Sequence, residues 1–150
     1  MVDLKHTDMA QNKLNVALEM LHFGFRAITH HPDQRLKELR YTRVHHRILY
    51  FIGRNPETSI NGLLATMQVS KQYLNRPLNR LVDDGYVDAW QDDKDKRMKR
   101  LTLSSAGLSL ENDLTGEQRK QLSRVFTQAG PEAEAGWRKI MELLARVNMK

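Results

Sequence analysis

The 150-residue sequence has no cysteine, only four prolines, and no apolar run longer than the five residues Ile48 to Ile52. Without a thiol there is no disulfide, no thiolate metal site, no thiol nucleophile and no cysteine redox switch. Five apolar residues fall far short of the ~20 that cross a bilayer, so no membrane partner is expected. The first thirty residues carry Asp3, Lys5, Asp8 and Glu19 and no apolar secretion segment, which points to an intracellular protein. Also missing are a phosphate-cradling glycine loop, paired carboxylates, and a nucleophile beside a base at any recognisable spacing. An enzyme is therefore not the expected class.

What is present is 40% apolar and 28% charged residues, the balance of a soluble chain with one core and helical extensions. The net charge is +6, and its placement is uneven. Residues 1–40 hold six bases and five acids, 41–103 hold eleven and seven, and 104–150 hold seven and six. The middle therefore supplies +4 of the +6, as if a polyanion meets the centre while the ends do something else.

Leu14, Leu18, Leu21, Phe25 and Ile28 recur at steps of four, three, four and three, a single stripe on a helix that His31-Pro32-Asp33 is expected to end. At the other terminus, Leu108, Leu114, Leu122, Val125 and Phe126 mark a long helix closed by Gly130-Pro131, and Trp137, Ile140, Met141, Leu144 and Val147 mark the next. One small domain cannot cover all three stripes. Between them lie a helix at 42–54, a short helix from Ser59 to Met67, a turn, and a helix from Lys71 to Asp84 capped by Ser70 and ended by Gly85. Tyr86 to Trp90 and Met98 to Leu103 then alternate with period two around a charged tip, a β-hairpin. The expected class is mostly α with a small hairpin wing (α+β): a winged helix-turn-helix lobe at 41–103, with dimerisation helices at 1–40 and 104–150.

On the second helix of the motif the non-core positions are Lys71, Gln72, Tyr73, Asn75, Arg76, Asn79 and Arg80, with no acid before Asp83. Arg, Asn and Gln carry paired donors and acceptors that match guanine and adenine edges in the major groove, so this face reads as a base-contacting one. Gly85-Tyr86-Val87, then Asp95-Lys96-Arg97, then Leu103-Ser104 and Gly107 follow at the spacings of a known family. In these motifs, and along essentially its whole length, the chain resembles the MarR (multiple antibiotic resistance regulator) family of bacterial transcription factors. Ser104 stands where the family has threonine and keeps the capping hydroxyl.

The resemblance implies a homodimer with interlocked terminal helices, binding double-stranded DNA at a palindromic site as a regulator, usually a repressor, in the bacterial cytoplasm on the nucleoid. It places Ser70, Lys71, Gln72, Asn75, Arg76 and Asn79 on the groove-facing helix and Arg97 at the wing arginine; Arg80, Lys96 and Lys99 complete the expected DNA-contacting set. No cofactor is implied. Pro77 departs from the family's apolar residue in mid-helix and is expected to kink or shorten the recognition helix. Ala89 stands where the family often has an arginine, so Asp95, the expected orienting residue of the wing, must take another base, such as Arg100, or tip backbone N–H groups.

Small-molecule sensing is the commoner mode among such relatives, with an organic anion or phenol between the dimer helices and the lobe. His22 with Arg26 and His46 with Tyr50 are i,i+4 pairs on the helices that border that crevice, and Arg43 and Arg47 offer charge to a carboxylate. Interface hydrogen bonds or solvent account for the same residues equally well. The six histidines show no ligand spacing, and adjacent His45 and His46 point about 100° apart on a helix, so no metal site is expected. A metal-responsive regulator and a winged-helix protein working through protein contacts are the alternatives.

Overall fold

The computed structural model describes residues 4–147, with side chains from residue 8 onward. In order, the chain forms α1 (Leu4–Glu38), α2 (Arg43–Arg54), β1 (Thr58–Ser59), α3 (Ile60–Met67), α4 (Lys71–Asp83), β2 (Val87–Gln91), β3 (Lys99–Leu103), α5 (Ser105–Ala129) and α6 (Pro131–Arg146). Serine hydroxyls open three of the helices. Ser59, Ser70 and Ser104 accept the backbone N–H groups of Gly62, Tyr73 and Gly107 at 3.0, 3.2 and 3.1 Å. Each pairs a donor the first turn leaves free, worth about 1 kcal/mol. Helix ends are equally defined. Tyr41 N–H donates to the Leu36 carbonyl, Val69 to Leu64, and Tyr86 to Leu81, with Arg40, Gln68 and Gly85 in the left-handed region at φ 60°, 56° and 85°. These are Schellman closures, in which a left-handed residue turns the chain back on its last carbonyls.

One expectation about proline is corrected. The first helix does not end at His31-Pro32-Asp33 but runs to Glu38 with Pro32 inside it and fully buried. Proline lacks the N–H that would reach the Ile28 carbonyl. Gln118 Nε2 of α5 donates to that carbonyl instead, at 3.1 Å, so the helix continues without a stranded acceptor. At Pro77 the alternatives are a kinked or a shortened helix, and shortening is not seen: α4 continues to Asp83, with Leu74, Leu78 and Leu81 burying one face on both sides of the proline.

β2 and β3 pair antiparallel with Val87 opposite Leu103 and Ala89 opposite Leu101, and β1, absent from the sequence reading, pairs with the other edge of β3. The core joins all three parts of the chain: Leu36 from α1, Ile48, Leu49 and Ile52 from α2, Leu63, Leu74 and Leu81 from the motif, Val87 and Leu101 from the sheet, and Leu114 from α5. At one corner the backbone approach is so close that a Cβ on Gly107 would lie 2.0 Å from the Tyr86 carbonyl oxygen. That oxygen also accepts Ser104 N–H, and Ser104 Oγ donates to the Gly85 carbonyl at 2.6 Å, fastening the wing root to the start of α5.

Away from this core the surface stays apolar. Every side chain from residue 8 to residue 27 of α1 is exposed, and α6 buries none of its residues. No helix among the described residues is long and apolar enough to cross a membrane.

Candidate nucleic-acid interface

The hydrophobic face of α4 packs inward, which turns Lys71, Gln72, Tyr73, Asn75, Arg76 and Asn79 outward, all exposed. Ser70 spends a lone pair on Tyr73 N–H and keeps its hydroxyl hydrogen free to donate. Asn79 Nδ2 donates to Asn75 Oδ1 at 3.4 Å, so the two amides orient each other one turn apart, leaving the Asn75 amide hydrogens and the Asn79 oxygen facing out. Among the described residues, the helix carries no acid before Asp83 on this row.

Arg80 is placed differently. Its guanidinium turns back to the end of α1, donating from Nη1 to the Arg40 carbonyl and from Nη2 to the Leu39 carbonyl at 3.1 Å, with its carbon 4.4 Å from the centre of the Tyr41 ring. The sequence reading sets Arg80 among the DNA-contacting residues, whereas in the structure two of its guanidinium N–H groups are spent on carbonyls of the protein itself.

At the wing tip, Asp92 rather than Asp95 gathers the loop. Its carboxylate accepts the backbone N–H groups of Lys94 and Asp95 at 3.2 and 3.0 Å and Arg100 Nε at 3.2 Å. The Asp95 N–H first, then Arg100, with a smaller part from the Lys94 N–H, hold its carboxyl below the usual carboxylate range. Arg100 Nη1 also donates to the carbonyl of Glu57, another left-handed residue, at φ 66°. Arg100 is therefore the partner of Asp92 and not of Asp95, so of the alternatives open for Asp95 the tip backbone is the one found, with Arg97 as the base beside it. Asp95 accepts Arg97 N–H and Nε at 3.1 and 3.4 Å, while the Arg97 side chain stays 93% exposed. Lys96 and Lys99 are exposed beside it. An aspartate opening a tight turn commonly accepts N–H groups two or three residues on, a signal at Asp92 that could have been read.

A second feature lies where α1, α2 and α5 meet. Arg43, His46, Arg47 and Tyr50 line a cleft of about 240 Å³ with Phe25, Thr29, Thr115 and Gln118. His22 and Arg26, expected beside them, are exposed on α1 and do not line it. Arg43 is already committed, with Nε and Nη2 on the Asp33 carboxylate at 3.1 and 2.7 Å and its carbon over the Phe25 ring. His46 Nε2 and Thr115 Oγ1 share a hydrogen bond of 2.9 Å. Burial, and then the charge of Arg47, push the His46 imidazole below its ordinary value near 6.5.

Residues 41–98 match the family model described as MarR family. The chain is 36% identical over 136 residues to the HTH-type transcriptional regulator PetP of Rhodobacter capsulatus, covering 91% of this chain and 82% of that one. It is 29% identical over 106 residues to the HTH-type transcriptional regulator BilQ of Clostridium symbiosum, covering 59% of this chain and 74% of BilQ. Among solved structures it resembles a MarR protein from Peptoclostridium difficile, with a TM-score of 0.71 at 25% identity over 87% of this chain and 85% of that one. FabT of Streptococcus pneumoniae, solved in complex with DNA, shares the fold with a TM-score of 0.75 at 18% identity over 89% and 96% of the two chains.

Proposed function

The chain belongs to the MarR family of DNA-binding transcriptional regulators, and from that premise we propose that it acts as a homodimeric repressor on a pseudo-palindromic operator. The observation that carries the reading is the outward row of α4, where Lys71, Gln72, Asn75, Arg76 and Asn79 stand exposed together on a capped helix. Asn75, Arg76 and Gln72 have the paired groups for base edges, and Ser70, Lys71, Lys96, Arg97 and Lys99 suit phosphates or the minor groove. The lobe at 41–103 does the reading, the helices at 1–40 and 104–150 hold the dimer, and the protein works in the cytoplasm on the nucleoid.

The dimer follows from surfaces that one chain leaves uncovered. Besides Leu14, Leu18, Leu21 and Phe25, α1 exposes Met9, Val16, Met20 and Phe23 on roughly the opposite side at 100° per residue. A helix apolar on two sides calls for cover on both, which interlocking provides and side-by-side contact does not. Trp137, Ile140 and Leu144 of α6 supply further apolar surface for the partner copy. The cleft below this region suits a small organic effector with a carboxylate or phenolate, which Arg47, His46 and Tyr50 are placed to receive.

Selection of bound duplexes from a random pool tests the reading. The expected product is an inverted repeat whose half-site centres lie about one helical turn, ~10 bp, apart. Recovery of no enriched sequence, or of an asymmetric one, would overturn it. Aromatic carboxylates and phenols added to the recovered complex should release the DNA if the cleft is the effector site.

A further inference from the structure

Arg80 lies on the recognition helix one turn beyond Arg76, yet its guanidinium turns back onto the protein while the side chain stays 41% exposed. Nη1 and Nη2 hold the adjacent carbonyls of Arg40 and Leu39 in the turn that follows α1. Nε faces the Asp84 carboxylate at 3.7 Å, and Asp84 in turn accepts the Tyr41 hydroxyl. The guanidinium plane covers the buried Tyr41 ring, which stacks on His45 in the first turn of α2 at 4.5 Å and meets Tyr86 at the wing root edge-on at 5.9 Å. A single cluster thus joins the end of α1, the start of α2, the end of α4 and the base of the wing.

We infer that Arg80 is a positioning residue, which with Tyr41 and Asp84 sets the angle of the recognition helix against the end of α1 and thereby determines operator specificity without touching DNA. The inference rests on the DNA-binding reading above. Two adjacent carbonyls and an aromatic face together require a planar fork, which arginine has and lysine lacks. Arg40 makes the demand stronger: it holds a left-handed backbone with φ 60° that a side chain rarely adopts, and the Arg80 contact sits on its carbonyl. Losing the fork frees α4 to tilt against α1 while its outward row stays intact.

The experiment uses the full-length protein and the duplex that the wild type selects from a random pool, beside a scrambled duplex. Arg80→Lys keeps the charge and most of the stem. It is expected to weaken operator binding about tenfold, the scale of a lost charge-assisted bond, with affinity for the scrambled duplex and the dimer mass unchanged. The slope of affinity against salt should stay at the wild-type value in Arg80→Lys and in Arg80→Ala. Tyr41→Phe, which keeps the ring and removes the bond to Asp84, should lower the operator-to-scrambled ratio in the same direction. Repeating the selection with Arg80→Lys should return half-sites of broadened spacing. If Arg80 instead contacts phosphate, lysine restores wild-type binding, and alanine weakens both duplexes and lowers the salt slope by about one; either result overturns the inference. If the wild type selects no duplex, the DNA-binding reading fails and this inference falls with it.

Discussion

Gln118 gives its side-chain amide to the Ile28 carbonyl of α1, ninety positions away, that Pro32 strands, so Gln118 offsets the donor that Pro32 lacks. Gln118→Leu should leave the Ile28 oxygen unpaired and cost about 1–3 kcal/mol in urea unfolding. Adding Pro32→Ala restores a backbone donor, so the double variant should lose less than the two single losses combined; simple additivity would show the residues to be independent. This pairing also explains where the sequence misleads. A local rule weighs proline's missing donor and stops the helix at 31–33, because nothing nearby announces a replacement from α5. Arg80 is a similar case: its helical position is legible in the sequence, while the carbonyls its guanidinium holds belong to another part of the chain. His46 carries a pH-dependent consequence. Its folded-state value is depressed, so the unfolded chain takes up the proton first, and stability falls as pH drops through about 6.5 until the folded ring is protonated too. His46→Gln keeps a group for Thr115 and removes this proton. Between about pH 7.5 and about pH 5 the wild-type urea midpoint should therefore fall more than the variant's, and equal falls would assign the acid sensitivity to other groups, His45 foremost, whose burial and Arg80 neighbour depress it likewise.

The wing is an element whose order depends on one carboxylate. Asp92 ties the tip backbone to Arg100, and Arg100 ties both to the turn at Glu57, so Asp92→Asn should loosen the hairpin loop that presents Arg97. Operator affinity is expected to fall by up to about fivefold at fixed salt even though a negative charge is removed near DNA. Asp95→Asn should have the smaller effect, since among the described residues the Asp95 carboxylate accepts only from the exposed Arg97. Tighter operator binding by Asp92→Asn would mean that the loop acts as mobile positive charge and needs no ordering. Elements with their own punctuation were read well from sequence: α4 and α5 start where Ser70 and Ser104 cap them, and α4 closes at Gly85. The Gly107 motif gains its physical reason only in three dimensions, from the Tyr86 carbonyl that no side chain could share. β1 escaped notice because two residues have no periodicity, and their pairing with β3 is entirely tertiary.

For the molecule as a whole, the uncovered helices decide its assembly. Sedimentation at low micromolar concentration should show twice the 17.5 kDa chain mass. Leu18→Glu, in the middle of one α1 stripe, should break the dimer and abolish operator binding while the lobe core stays folded; a well-folded monomeric wild type would defeat the interlocked arrangement. The same α1 continues as one helix from its exposed apolar stripe to Leu36 in the lobe core. It acts as a rigid lever rather than a tether. From Leu18 to Glu38 the arm is ~30 Å long at ~1.5 Å per residue, so a tilt of ~7° at the seam moves its far end by ~3.6 Å. That displacement exceeds the ~3.4 Å between successive base pairs on a strand. In the proposed dimer a small change of angle between the copies would thus be geared up into a whole step along the duplex, and inserting one base pair at the centre of the selected operator should cost at least about tenfold in affinity, where lobes on slack linkers would absorb it.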